Sequence, residues 1–330
     1  MTKTILVKLT VILVALSSGS GLLSCTKKPE SIIVSYAPFQ TLALLWTADE
    51  QGFFDRNGLH VTLREFATGA GALDGVLNRE ADIAVGTAEF PLVGRAFKKE
   101  SVRILGTIDK IDHVCVVARR DREIGQVSDL KGKRVGTTLG TVAEFYLGRM
   151  LELNGMNLQD LTVVDLKTPS EWVNAVVDGD IDAVVTAQPH ANLARDGLGP
   201  EAVVWSAQSS RPMYALMIAT EAWIKAHPER VNRFLESLMQ AEEYVIRNPA
   251  EAKAILRKRL NLDAADVETV WSQNQYGLSL DQSLITAMED EARWMIKNGL
   301  TSEKDIPDFL SYLYLDGLKA MKPEAVSIIH

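Results

Sequence analysis

A run of small, hydroxylated residues, Gly136-Thr-Thr-Leu-Gly-Thr141, stands between a short strand closed by Val135 and a helix opened by Thr141. Val142, Phe145 and Tyr146 give that helix its i, i+3, i+4 apolar spacing. Thr141 and Glu144 match the Ser/Thr-x-x-Glu capping box. A helix start leaves backbone N–H groups unpaired and carries partial positive charge. With the hydroxyls of Thr137, Thr138 and Thr141 as further donors, such a turn can hold a small anion or a polar ligand without a charged side chain. The same residues also describe an ordinary capped βα turn, of which every α/β protein has several.

Signatures of catalysis are missing. The chain has no Gly-x-Ser-x-Gly, His-Glu-x-x-His, Gly-x-x-x-x-Gly-Lys-Ser/Thr or Cys-x-x-Cys. His60, His113, His190, His227 and His330 are dispersed, and no pair has metal-ligand spacing. Neither a metal nor a cofactor is expected, and the chain reads as a non-enzyme. His190 differs from the other histidines because it follows a strand end beside Gln188 and Pro189. Cys115 lies in the apolar run His113-Val-Cys-Val-Val117 and reads as a buried structural thiol.

The elements that would position a site alternate. Ser31 to Tyr36, Leu59 to Leu63, Asp82 to Gly86, Val102 to Leu105 and Val114 to Ala118 read as strands, with helices after Thr41 and Thr68. The first helix stripe, Leu42, Leu45 and Trp46, ends at Gly52, a C-cap. This β-α-β-α-β order belongs to a mostly parallel sheet. It then restarts: a strand leads to Val135, a helix runs to about Asn154, Leu161 to Leu166 is a strand, Ser170 caps a helix to Asp178, and Ile181 to Val185 is a strand. Both halves share a phrase, Ala81-Asp82 leading to Thr87-Ala88 and Ile181-Asp182 leading to Thr186-Ala187, so two similar α/β lobes are expected. Tyr214 to Ala219 is a strand that returns to the first lobe. Beyond it the chain reads as nearly all helix. Val231, Phe234, Leu235, Leu238 and Val245 form one stripe after Pro228; Leu284, Ile285, Met288, Ala292 and Met295 form another.

In such sheets ligands bind beyond the carboxyl ends of the strands. Collecting those ends gives Tyr36, Phe39, Gln40, Gly69, Thr87, Ala88, Glu89, Phe90, Thr138, Gly140, Thr141, Gln188 and His190, with Tyr214 on the returning strand. Hydroxyls, small residues and a few aromatics dominate, a composition suited to recognition. Lys167 is the one base among these loops.

With 330 residues the chain can build two sizeable cores. Apolar residues make up 47% and charged residues 24%, within the range of soluble globular proteins. A net charge of −8 without a basic run argues against a nucleic-acid partner. Residues 1–24 read as an export leader: Lys3 and Lys8 precede the apolar stretch Leu9 to Leu16, and small residues follow. That stretch is too short for a span, which needs about 20 apolar residues. Leu22-Leu23-Ser24-Cys25 resembles a bacterial lipobox, which implies cleavage before Cys25 and lipid on its thiol. Acyl chains there, at about 0.8 kcal/mol per buried methylene, would hold the protein on the membrane through a short tether, residues 25–30. With Cys25 lipidated, Cys115 has no thiol left to pair with.

Several stretches together resemble a family. They are Ala48-Asp-Glu-Gln-Gly-Phe-Phe-Asp-Arg-Asn-Gly-Leu-His-Val61, Asp129-Leu-Lys-Gly-Lys-Arg-Val-Gly136, Leu139-Gly-Thr141, Gly179-Asp-Ile-Asp-Ala183, Gln188-Pro189, Tyr314-Leu-Asp-Gly-Leu318 and Lys322-Pro-Glu-Ala-Val326. They look like the solute-binding proteins of ABC importers for nitrate, sulfonates, taurine and thiamine-type pyrimidines. The resemblance implies a type II periplasmic-binding fold, two α/β lobes with two crossover strands and a helical C-terminal part packed on lobe one. It implies residues 31–117 plus 215–330 as lobe one and 118–214 as lobe two. It further implies a small solute in the cleft, a membrane permease as partner, and a monomer facing the periplasm or cell exterior. Gly140 and Thr141 fall where the family often holds an anionic group. Glu89 departs from that pattern: it either opposes an anion in the cleft, favouring an amine or a neutral heteroaromatic ligand, or turns away. A ligand sensor for a membrane signalling partner, and a pyrimidine-synthase-like enzyme, are the alternatives.

Overall fold

A computed structural model describes residues 30–112, 114–208 and 211–329. The leader, Cys25 and His113 lie outside the described residues.

The first half alternates as its apolar pattern dictates: β1 (Glu30–Tyr36), α1 (Ala43–Glu50), α2 (Phe53–Arg56), β2 (Leu59–Glu65), α3 (Gly69–Leu77), β3 (Ile83–Thr87), α4 (Glu89–Phe97) and β4 (Val102–Ile111). Then come β5 (Cys115–Arg119), β6 (Arg134–Thr137), α5 (Val142–Leu153), β7 (Thr162–Asp165), α6 (Pro169–Asp178), β8 (Ala183–Thr186), α7 (His190–Leu198) and β9 (Ala202–Ser206). The chain closes with β10 (Met213–Thr220), α8 (Glu221–Ala226), α9 (Pro228–Arg247), α10 (Pro249–Leu260), α11 (Ala264–Ser272), β11 (Asn274–Asp281), α12 (Gln282–Lys297), α13 (Leu315–Met321) and the two-residue β12 (Val326–Ser327).

Local chemistry sets the helix ends. Gly52, at φ +67°, supplies the left-handed residue that stops α1. Thr68 caps α3 by accepting from the Gly71 N–H at 3.0 Å. The cap of α6 is Thr168, two residues ahead of the expected Ser170. Thr168 has Pro169 at the first helical position and Glu171 three residues on, so the full capping box forms there.

Two sheets result. One runs β12-β11-β4-β10-β3-β1-β2 and the other β7-β6-β8-β5-β9. The repeated phrase has a structural cause. Asp82 accepts from the Ile33 N–H at 2.7 Å, and Asp182 accepts from the Arg134 N–H at 2.8 Å. In each lobe this aspartate ties the start of one central strand to its parallel neighbour.

The chain passes from the first sheet to the second between β4 and β5, and returns between β9 and β10. β4 ends at Ile111 and β9 at Ser206, β5 begins at Cys115 and β10 at Met213, so β5 lies wholly in the second sheet and the 117/118 boundary would divide it. Ile111 and Met213 are register partners on antiparallel β4 and β10. Gln208 fastens both passages: its Oε1 accepts from the Val114 N–H at 2.6 Å, and its Nε2 donates to the Ile111 carbonyl at 3.0 Å.

The C-terminal helices pack on lobe one. The apolar stripes of α9 and α12 are buried as their spacing requires, each large aliphatic contributing about 1.5–3 kcal/mol on burial. The strand β11 departs from the all-helix reading. Asn274-Gln-Tyr-Gly-Leu-Ser-Leu-Asp281 is weakly strand-forming and carries a register break between Tyr276 and Ser279. Pairing with β4 decides its conformation, a tertiary effect that overrides local preference.

Candidate functional site

Between the lobes, beyond the carboxyl ends of β1, β3, β6 and β8, lies a cleft of about 720 Å³ including its solvent-open part. Lobe one contributes Phe39, Thr41, the Thr68-Gly69-Ala70 turn, Gly86, Ala88 and Pro91. Lobe two contributes Thr138, the start of α5, Trp172 and the Val185-Thr186-Ala187 strand end. Val114 and Met213 line it where the chain passes between lobes. None of these lining residues is charged. Gly86, at φ +80°, bends the end of β3 where a Cβ would meet a Leu42 methyl at 2.6 Å.

Of the residues expected at the site, Phe39, Gly69, Ala88, Thr138 and Thr141 line this cleft. The others do not. Tyr36 directs its hydroxyl to Glu65 at 3.2 Å and sets its ring edge-on to Trp46. Gln40 is fully buried, its backbone carbonyl accepting from the Tyr276 hydroxyl at 3.2 Å, and its side-chain amide has no partner within the described residues. Thr87 spends its hydroxyl on the Gly69 carbonyl at 2.9 Å, holding the α3 turn against β3. Gln188 pairs with Asn192. Phe90 packs on Phe145 and Trp294. Tyr214 bonds Ser283 at 2.7 Å. Glu89 is buried and turned away from the cleft, accepting from the Tyr214 N–H at 3.0 Å. Burial pushes its carboxyl up to about 8.

The opening of α5 is not free to hold an anion. The Gly140 N–H donates to Glu144 at 2.7 Å, so a carboxylate already occupies the position next to this helix start. The Thr141 hydroxyl donates to the Thr138 carbonyl at 2.7 Å, and the Thr138 hydroxyl donates to the Leu166 carbonyl at 2.7 Å. Two of the three hydroxyls counted from the sequence are consumed locally, as Ser/Thr side chains at turns commonly are; the third, Thr137, is fully buried outside the cleft lining and has no partner within the described residues. Lys167 pairs with Asp165 and stays outside the lining.

Two cleft residues left out of the expected set do have spare hydrogen-bonding capacity. Thr41 on lobe one and Thr186 on lobe two are nearly fully buried, and neither hydroxyl has a partner within the described residues. A buried unpaired hydroxyl costs about 1–3 kcal/mol, which makes each a point where a ligand group would be favoured. The recurrence of Thr-Ala at both strand ends was the signal for Thr186. For Trp172, a helix residue away from the strand ends, spacing alone carried no signal that it would face the cleft.

An aromatic wall closes one end. Phe39 of lobe one stacks on Trp172 of lobe two, with centroids 6.4 Å apart and planes at 17°. His190 meets Trp172 edge-on at 5.5 Å and Phe39 at 6.0 Å. Burial among these rings lowers the His190 pKa from 6.5 to about 4. Because the folded value is depressed, the unfolded chain binds the proton first as pH falls. Stability is therefore whole above about pH 6.5 and is lost between about 6.5 and 4. His190→Phe keeps the ring contacts and removes this proton. Denaturant midpoints measured from pH 7 to pH 4 should show the wild type losing about 2–3 kcal/mol more than the variant across that window. Parallel curves would show that His190 does not carry the acid sensitivity.

Two α/β lobes around a cleft, joined by paired crossings, are the architecture of the type II periplasmic binding proteins. Residues 40–252 match the family described as NMT1/THI5 like, and the chain belongs to it. The alkanesulfonate-binding protein SsuA from Xanthomonas axonopodis pv. citri, solved bound to MOPS, shares the fold with a TM-score of 0.75. Its sequence identity is 19%, covering 87% of this chain and 99% of that one. A Brucella abortus (strain 2308) sequence named as a binding protein is 29% identical over 234 residues, 67% of this chain and 69% of that protein. The 4-amino-5-hydroxymethyl-2-methylpyrimidine phosphate synthase of Aspergillus parasiticus is 24% identical over 231 residues, 64% of each chain.

Proposed function

We propose that this protein is the exported solute receptor of an ABC importer, tethered by lipid on Cys25, and that its cleft takes a small uncharged organic molecule carrying a ring. The observation that carries this reading is the cleft lining: no charge, an aromatic wall, and one unpaired hydroxyl on each lobe. A solute reaching both Thr41 and Thr186 contacts the two lobes at once and so favours the closed arrangement over the open one. A sulfonate or nitrate ion would find no cation there to repay its desolvation. The occupied state would then dock on a membrane permease, with the receptor as a monomer. Turnover is the weaker reading although one relative is named as a synthase. The lining offers no acid, base or thiol, and burial holds the Cys115 thiol up at about 12, far from a nucleophile's range.

Thermal shift and calorimetry with a panel of sulfonates, nitrate, amines and neutral heteroaromatics test the reading. Neutral ring compounds should raise the melting midpoint and the anions should not. Stabilisation by sulfonate or nitrate alone would overturn the ligand class. Stabilisation by nothing in the panel would count against a solute receptor. Thr41→Val and Thr186→Val are expected to weaken binding by about 2–10-fold each, the loss of one hydrogen bond. Each variant should leave the ligand-free midpoint unchanged or raised, since each removes an unpaired hydroxyl. A lowered ligand-free midpoint with unchanged affinity would mean that the hydroxyls serve the fold instead.

A further inference from the structure

Away from the solute cleft the lobes meet a second time. Phe145 of α5, on lobe two, stacks on Phe90 of α4 at 5.7 Å and meets Trp294 of α12 edge-on at 5.6 Å. Beside this seat lobe one buries two carboxyls, Glu89 and Glu291, each 1% exposed. The Tyr214 N–H donates to Glu89, whereas neither oxygen of Glu291 has a partner within the described residues. No salt bridge reaches either one among those residues. Burial raises both pKa values, and the charge of Glu89 raises that of Glu291 further. The lobe-two group facing both is Tyr146 of α5, itself buried, whose pKa the two carboxylates raise.

The surrounding charges do not neutralise the pair. Asp290, the neighbour of Glu291 on α12, adds repulsion and is taken up by Arg211. Asp112 acts on Tyr146 with the same sign. On the β10 side, Tyr214 lies near Asp281, which binds Lys110.

We propose that Glu89 and Glu291 form a protonation-controlled joint between the lobes: while both are neutral α5 stays seated on α4 and α12, and loss of a proton drives the seat apart. The proton leaves to solvent as the carboxylate becomes hydrated and is taken up again on closing. A buried, unpaired carboxylate is strongly disfavoured, so the cost of ionisation falls on the closed state alone. Because the closed-state values are raised, closure is fully favoured below the ordinary carboxylate range. It weakens as pH rises from there to about 8. Uptake of up to two protons on closing makes the closed-to-open ratio fall by as much as about a hundredfold per pH unit in that window, and by about tenfold where only one of the pair titrates.

The test is small-angle scattering of the mature, ligand-free protein from pH 5 to pH 9, with intrinsic tryptophan fluorescence of the protein and of Trp294→Phe alongside. The wild type should expand with rising pH. The Glu89→Gln/Glu291→Gln double variant, neutral at every pH, should stay compact throughout. An infrared protonated-carboxyl band should be present in the wild type at pH 7 and reduced in the variant. A wild type of constant dimensions without that band overturns the joint, and does so whether or not the variant folds. A folded variant that expands like the wild type overturns it equally. The ligand arm rests on the solute-receptor reading: affinity should fall with pH in the wild type and stay level in the variant. If no solute binds, scattering still decides the joint. If a solute binds equally at every pH and the dimensions never change, the joint fails and the receptor reading stands.

Discussion

Gly148→Ala should lower the melting midpoint, although alanine inside a helix ordinarily adds about 1 kcal/mol relative to glycine. The reason is the neighbour across the lobe interface. A Cβ at position 148 of α5 would lie 2.1 Å from the Trp294 ring of α12. The indole is nearly fully buried and packed on Phe90 and Phe145, so it has little room to give. Overpacking of this kind costs about 1–3 kcal/mol and outweighs the helix gain in all but the mildest case. A further substitution, Trp294→Leu, makes room, and the pair should be more stable than the sum of the single effects, a favourable coupling of about 0.5–3 kcal/mol. A raised midpoint for Gly148→Ala would mean that α5 does not seat against α12 as described.

Trp172→Ala should have the larger effect on binding. The indole forms one wall of the cleft, donates its Nε1–H to the Thr138 hydroxyl at 3.0 Å, and stacks on Phe39 from the opposite lobe. Truncation removes all three contacts at once. Loss of a buried Trp costs about 3–5 kcal/mol, concentrated in lobe two. Solute affinity should fall by more than about a hundredfold, since both the wall and the interlobe contact go. Trp172→Phe keeps the stack and loses only the donor, so it should retain most of the stability and a measurable affinity. The two variants are compared by calorimetric titration at a temperature where both are folded. Wild-type affinity in folded Trp172→Ala would remove the cleft from consideration as the solute site.

The fold was readable because its signals are local and repeated. Alternating apolar strands, capped helices and the paired Asp-strand-Thr-Ala phrases each follow from short-range spacing, and Asp82 and Asp182 make the repeat physical by bonding equivalent strands. β11 was not readable, because its conformation comes from a partner strand far away in sequence. The site was only partly readable for a related reason. Strand ends locate a rim, but the direction of each side chain depends on what else is close. Glu89 turns inward because the Tyr214 N–H lies there; the Thr138 and Thr141 hydroxyls turn to backbone carbonyls; Thr41 and Thr186 keep theirs free. The turn at residues 136–141, anticipated as an anion holder, shows the same effect. Glu144 takes the Gly140 N–H and backbone carbonyls take the Thr138 and Thr141 hydroxyls, while the Thr137 hydroxyl is buried away from the cleft lining.

The pairing of Ile111 with Met213 has a consequence for how such a chain can change over generations. Register partners on adjacent antiparallel strands sit only about 5 Å apart, so everything between them is an insertion whose ends nearly touch. A two-residue hairpin could bridge that gap. Recombination at this one doorway could exchange the whole lobe-two side of the cleft, Thr186 and Trp172 included, while the strand order of the host sheet is left as it was.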